Sequence, residues 1–211
     1  SVDSPVTIPN VGELTIYSDG SYSFMPVANY AGAIPVITYT LGDGNGGTDT
    51  STLTLTITPV NDEPAGADKT ITIAEDTSYT YTAADFGFTD PIDTPANTLQ
   101  SVAIASLPLE GSLKLNGTAV TAGQVITAAD IASGKLIYTP DANEKGANYA
   151  SFTFQVKDNG GTVNGGQDTD QVPNTITINI TSVTDLFAAN DANTTQEDIL
   201  VSGTVVGNDS T

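Results

Sequence analysis

Residues 51–60 read STLTLTITPV, with a threonine at every second place and Leu53, Leu55 and Ile57 between them. In an extended chain this period of two puts hydroxyls on one face and aliphatic side chains on the other. The β-branched residues favour the strand itself. The pattern returns in KTITIAED (Lys69–Asp76) and NTITINITSV (Asn174–Val183). Such strands suit a sheet with one face in a core and the other in water.

Outward from these, GELTIYSDGSYSFMP reads as a hairpin turning at Ser18-Asp19-Gly20. PVITYTL, SVAIASL, GSLKLNG, KLIYTP and ASFTFQVKD are further short strands, with Gly, Asn, Asp and Pro between them. The expectation is an all-β chain of sandwich modules. The helical candidate is TAADIASG, where Asp130 would cap a single turn that Gly134 ends.

The 211 residues carry 25 acidic and 5 basic side chains, a formal charge of −20, and all five cations are lysines. Nucleic acid is therefore a poor partner. Lys69, Lys114, Lys135, Lys145 and Lys157 are scattered, which argues against an anion site. With 38% hydrophobic residues in strand-like patterns, the chain reads as folded. It has no Cys, His or Trp, which excludes disulfides, the usual zinc and copper ligands, and catalysis by thiol or imidazole. No run of about 20 apolar residues is present to span a bilayer.

The sequence repeats itself. Gly12-x-Leu14 matches Gly111-x-Leu113, and Tyr22-x-Phe24-x-Pro26 matches Leu136-x-Tyr138-x-Pro140. YTLGDGNGG (Tyr39–Gly47) matches FQVKDNGG (Phe154–Gly161). Each copy closes with a Thr-rich strand and an acidic linker, PVNDEP or SVTDLFAAND, followed by AGADKTITIAEDTSY or AANDANTTQEDILVSG. By this register residues 1–62 are a sandwich repeat without its opening strands, 63–185 a complete repeat, and 186–211 the opening strands of the next. The expected whole is one period of a longer tandem array, cut inside a domain.

SDGSYSFMP, YTLGDGNGGTDTSTLTLTITPVND, GKLIYTPDANEKGANYASFTFQVKDNGG and ANDANTTQEDILVSGTVVGND together resemble the bacterial cadherin-like and VCBS-type repeats of giant secreted adhesins, including repeats-in-toxin adhesins. The resemblance implies tandem immunoglobulin-like or cadherin-like β-sandwiches joined by short acidic linkers, export to the cell surface, and calcium at the junctions. The Gly-Gly-x-Gly-x-Asp nonapeptide of calcium β-rolls is missing, so these read as extender modules.

Calcium takes six to eight oxygens from carboxylates, amides and carbonyls in irregular loops. One candidate set is Asp43, Asn45 and Asp49 in a Gly-rich loop, Asn61 and Asp62 in the linker, and Glu75 and Asp76 after the next strand. The second repeats it: Asp158 and Asn159, then Asp168 or Asp170, then Asp185, then Asn190 and Asp191, then Glu197 and Asp198. In a sandwich with chain entry and exit at opposite poles each set is expected to converge at one junction, and a Glu-Asp pair after an opening strand does not read as turn chemistry. Isolated acids such as Asp19 and Asp141 read as turn residues.

The leading expectation is a calcium-stiffened structural segment of a bacterial surface adhesin, supporting adhesion or a biofilm, with adjacent repeats of the same protein as partners. Head-to-tail strand exchange between chains is its sharper form. A carbohydrate- or protein-binding module is the alternative, with Tyr30 and Tyr149 as its weak aromatic candidates against surface glycans. An enzyme is not expected, because a two-carboxylate hydrolase needs acids facing across a cleft.

Overall fold

A computed structural model describes residues 2–183, 190 and 192–204 of the chain. Among them it is almost entirely strand and loop, as the alternating pattern requires.

The first unit holds β1 (Val6–Ile8), β2 (Gly12–Ile16), β3 (Tyr22–Pro26), β4 (Ile37–Gly42) and β5 (Thr48–Leu53). β1, β2 and β3 form an antiparallel sheet, and β4 and β5 a separate hairpin. The β2–β3 turn falls where expected: Gly20 has φ 88°, and the Asp19 carboxylate accepts the Ser21 N–H at 2.9 Å.

The second unit begins with β6 (Lys69–Ala74), β7 (Tyr79–Thr80), a 3-10 turn at Ala83–Phe86, β8 (Leu99–Ile104), β9 (Ser112–Leu115), β10 (Thr118–Ala119) and β11 (Val125–Thr127). It continues with α1 (Ala128–Ala132), β12 (Leu136–Thr139), β13 (Gly146–Asp158) and β14 (Asn174–Thr181). Two sheets result, ordered β10-β9-β12-β7 and β11-β8-β13-β14-β6. The cap of α1 differs from expectation. Thr127 accepts the Asp130 N–H at 3.1 Å, so Asp130 lies inside the first turn, while Gly134 at φ 68° ends the element.

The core lies between these sheets. Ile104, Leu136, Tyr138, Phe154, Ile176 and Ile178 are all buried to 0% exposure. Tyr81 meets Phe152 edge-on at 5.6 Å, and Phe86 meets Phe154 edge-on at 4.9 Å. Such pairs add to the transfer energy of burying the rings. β14 runs between β13, antiparallel, and β6, parallel, with Ile178 opposite Ile71 and Ile180 opposite Ile73.

The first unit reproduces part of this. Ile37 pairs with Leu53 and Tyr39 with Ser51, the register that Phe152 keeps with Ile176 and Phe154 with Asn174. The strand expected through Val60 stops at Leu53. Pro35 stands where Ala150 continues the β13 ladder and has no N–H to give. Among residues 2–62 nothing takes the place of β6 beside residues 54–58. The core is correspondingly thin: Leu41 is 60% exposed where Val156 is 0%, and Tyr22 is 52% exposed where Leu136 is 0%. Residues 192–204, expected to open a further repeat, form no strand.

Candidate functional site

β13 runs against β14, so the end of β13 and the start of β14 share the leading end of the second unit. The linker arrives there. Asn61 donates its side-chain N–H to Asp158 at 3.2 and 3.3 Å and its backbone carbonyl accepts the Gln167 N–H at 2.8 Å. Its amide also reaches the Gln167 carbonyl at 2.5 Å. Asp62 donates its backbone N–H to Asp93 at 3.0 Å.

Phe88 to Asn97, a stretch without a strand signal, closes over this linker. Asn97 donates its backbone N–H to Asp90 and its side-chain N–H to the side-chain amide oxygen of Asn61. A further Asn97 contact to Asp93 measures 3.3 Å. Asn159 accepts the Thr98 N–H at 2.8 Å. Asp90, Asp93 and Asp158 thus gather around two amides, Asn61 and Asn97.

This cluster is electrostatically unsatisfied. Asp158 is 0% exposed and Asp90 8%, and one Asp90 oxygen, Oδ1, is buried without a hydrogen-bond partner. Burial pushes the Asp158 carboxyl up, reinforced by Asp90 and Asp168, although hydrogen bonds from Gly160 and Asn61 oppose it. Burial also raises Asp93, with Asp90 and Asp62 adding to the effect. Buried carboxylates without counter-charge are costly, and a cation is their ordinary remedy.

The other acids are placed differently from the expected sets. Because β6 runs parallel to β14, Glu75 and Asp76 lie at the trailing end of the second unit, away from Asn61 and Asp62. Glu75 is buried and accepts the Val183 N–H at 2.6 Å. Asp76 has φ 60° in a turn and accepts the Asn143 N–H at 3.0 Å. The Glu-Asp pair is turn chemistry after all.

Asp43 spends Oδ1 on the N–H groups of Asn45 and Gly47, at 2.7 and 2.8 Å, and Asp49 accepts the Thr50 N–H. That exposed loop opens β5, whereas the linker leaves from the other end of the strand, so the loop does not join Asn61 and Asp62. Asp158, Asn159, Asp168 and Asp170 belong to the leading end, not to the second junction. Asp168 pairs with Lys157 at 2.8 Å. Asp170 holds the Gly66 N–H and the Asn174 amide, both at 2.8 Å. Asn190, Glu197 and Asp198 are exposed, and Asp185 and Asp191 lie outside the described residues.

Sequence reasoning missed Asp90, Asp93 and Asn97. Their signal is FTDPIDTPAN, two prolines and two acids three apart between strands. Among the described residues no three acidic side chains stand close enough to grip a metal as placed. The two amides stand between the carboxylates. The donor set is nonetheless all oxygen apart from those amide nitrogens, as a hard cation requires, and Asp90 Oδ1 lacks a partner.

The aromatic candidates are engaged. Tyr30 donates its hydroxyl to the Ala33 carbonyl at 2.8 Å, and Tyr149 donates to Asp141 at 3.3 Å while packing on the core.

A family model described as a cadherin-like domain matches residues 1–58, and one described as a bacterial Ig domain matches residues 61–181. No curated protein matches the chain. Cadherin-like domains generally bind calcium, bacterial Ig domains occur in surface proteins, and both families are typically structural modules. No helix among the described residues is long and apolar enough to cross a membrane. The second match spans more than half of the 211 residues and falls on the two-sheet unit with its linker; the chain belongs to the bacterial Ig domain family.

Proposed function

We propose that the chain is a structural extender segment of a bacterial surface adhesin, non-enzymatic, whose first interdomain junction is stiffened by calcium. The observation that carries this reading is the orphaned, buried Oδ1 of Asp90 beside the buried Asp158, at the place where the linker residues Asn61 and Asp62 enter. Asp90, Asp93, Asp158, the amide oxygens of Asn61 and Asn97, and the Gln167 carbonyl would hold the ion. Turning the two amides to present oxygen converts their bridging hydrogen bonds into ligands. A bound cation supplies the charge that the carboxylates lack and ties linker, loop and strand end together.

Extracellular modules bind calcium at about 10⁻⁴ to 10⁻³ M, so the joint stiffens outside a cell and loosens where calcium is scarce. At a hundredfold excess over Kd the gain is about 2.7 kcal/mol. Residues 1–62 and 186–211 are parts of one repeating unit, and the partners of the chain are neighbouring units of the same kind. Adhesion or biofilm support follows from a chain of such units carrying a binding tip away from the cell.

The test is thermal unfolding of the chelated chain during a calcium titration, with magnesium as control. A calcium-specific rise of the midpoint supports the reading. No change up to about 10 mM, well above the extracellular range, removes it.

A further inference from the structure

We infer that Asn45 is a self-modification site: the Gly46 nitrogen attacks its side chain, the amide is lost as ammonia, and water opens the ring to aspartate and isoaspartate.

Asn-Gly occurs four times, at Asn45, Asn116, Asn159 and Asn164. In such a pair the glycine nitrogen can close a five-membered ring on the asparagine Cγ, and glycine has no side chain to obstruct it. The nitrogen bonds to Cγ, the Cγ–Nδ2 bond breaks, and Nδ2 leaves as ammonia with the proton of the glycine N–H. Water then cuts the succinimide. Cutting the new Cγ–N bond gives aspartate, and cutting the original peptide bond gives isoaspartate. The four pairs share this chemistry, so the fold decides which one reacts.

Asn159 is held at both reacting ends. Gly160 donates its N–H to Asp158 at 2.8 Å, and the Asn159 amide oxygen accepts the Thr98 N–H at 2.8 Å. Asn61 and Asn97 also crowd the Gly160 backbone, which leaves no room for it to swing. Asn116 and Gly117, at φ 49° and 80°, join β9 to β10 under the Leu115–Thr118 pair, and the Asn116 N–H is on the Lys135 carbonyl at 2.9 Å. Turning the Gly117 nitrogen onto Cγ would open that hairpin. Asn164, at φ 57°, lies in a 3-10 turn, Val163–Gly165, that the Gly166 N–H closes on the Val163 carbonyl at 3.1 Å.

At Asn45 the reacting atoms are free. The residue is exposed, outside any strand, and keeps a negative φ. The Gly46 N–H has no acceptor among the described residues, and the space on Gly46 where a Cβ would stand is empty to 4 Å. A 3.4 Å contact from Nδ2 to the Asp43 carbonyl is all that holds the Asn45 amide. Asp43 takes the N–H groups on either side, of Asn45 at 2.7 Å and of Gly47 at 2.8 Å, and passes over that of Gly46.

The product changes the loop. Isoaspartate routes the backbone through the side chain and adds a methylene between Asp43 and Gly47. Those two residues close the β4–β5 hairpin, with the Asp43 N–H on the Gly47 carbonyl at 3.0 Å. The modified chain therefore loosens at the mouth of this hairpin, and the mark accumulates with the age of the molecule.

The test is peptide mapping by mass spectrometry of the full chain held for weeks in neutral buffer, beside the same chain unfolded in urea. Each Asn-Gly pair is referred to its own unfolded rate, which removes the influence of neighbouring sequence. Asn45 is expected to react in the folded chain at close to its unfolded rate, mostly to isoaspartate. Asn159 is expected to be slowed at least about tenfold, the factor set by two hydrogen bonds that must break before the ring closes. An Asn45 slowed as much as Asn159, or unconverted when the unfolded chain has reacted, overturns the inference. Hydrogen exchange at Asp43 and Gly47 is expected to speed up in the isoaspartate form, and unchanged exchange there overturns the loosening.

Discussion

The Glu75 carboxylate accepts the backbone N–H of Val183 at 2.6 Å, across 108 residues of sequence. The contact exists because β6 and β14 run parallel and end together, with the Glu75 N–H on the Thr181 carbonyl at 2.8 Å. It fastens the first strand of the unit to the start of the following linker.

Glu75→Ala removes a buried acceptor and leaves the Val183 N–H unpaired. A loss of about 0.5 to 1.5 kcal/mol in urea unfolding is expected, the net worth of a hydrogen bond whose donor lies on the exposed Val183 and can turn to water. Glu75→Gln keeps an acceptor and is expected to recover most of it. Equal losses in both variants would show that the contact contributes through charge.

The two units differ in how much core they own. Phe154 and Tyr39 occupy matching strand positions, but Phe154 is 0% exposed while Tyr39 is half-buried. Phe154→Ala is expected to cost about 3 to 5 kcal/mol through its cavity. Tyr39→Ala is expected to cost under about half of that, since its transfer contribution is smaller. Calorimetry of both variants checks the contrast.

Strand identity was legible in the sequence because alternation has one reading when threonine and aliphatic residues trade places, as over Lys69–Ala74 and Asn174–Thr181. Pairing was not. Whether β6 joins β14 in parallel or antiparallel fashion is invisible in either strand alone, and that choice decides which end receives Glu75. The parallel pairing is what separates Glu75 and Asp76 from Asn61 and Asp62, with which their loop positions in the sequence group them. Asp90 and Asn97 were hidden for a related reason, since nothing local in FTDPIDTPAN says that it folds over a linker 31 to 36 residues earlier.

Lys69 and Asp85 form a second fixed point. The pair stands at 2.6 Å, with the Asp85 side chain 3% exposed, the Tyr79 hydroxyl at 3.0 Å and Thr82 donating from backbone and hydroxyl. Burial by itself would raise the Asp85 carboxyl, but the hydrogen bonds from Lys69, Thr82 and Tyr79 outweigh it and hold it below the usual range. Its contribution to stability is therefore complete above the unfolded pKa near 3.9 and is lost as pH falls through the lower folded value. The hydrogen bond to Asp85 raises Lys69, so its share is complete below 10.5 and is lost as pH rises through the folded value. Lys69→Met is expected to cost about 1 to 3 kcal/mol at neutral pH by stripping one charged partner from a buried carboxylate. Urea midpoints from pH 2 to 7 check the sign, and the variant is expected to show the weaker loss on acidification.

The junction cluster gives the opposite response, because its carboxylates want a cation that the protein does not provide. Asp158→Asn removes a charge that burial already disfavours, so the chelated chain is expected to keep its melting midpoint within about 1 kcal/mol equivalent. What the variant loses is the calcium response. Taking one carboxylate from a shared site weakens binding, and a tenfold weaker Kd lowers the stabilisation by about 1.4 kcal/mol at a given high calcium concentration. Asp90→Asn is expected to act the same way, while Asp43→Asn, in a loop closed on its own N–H groups, leaves the calcium response unchanged. Isothermal titration with the three variants separates the two geometries: a response that follows Asp43 rather than Asp90 and Asp158 would move the ion to the Gly-rich loop and leave the buried carboxylates as a strained hydrogen-bond network.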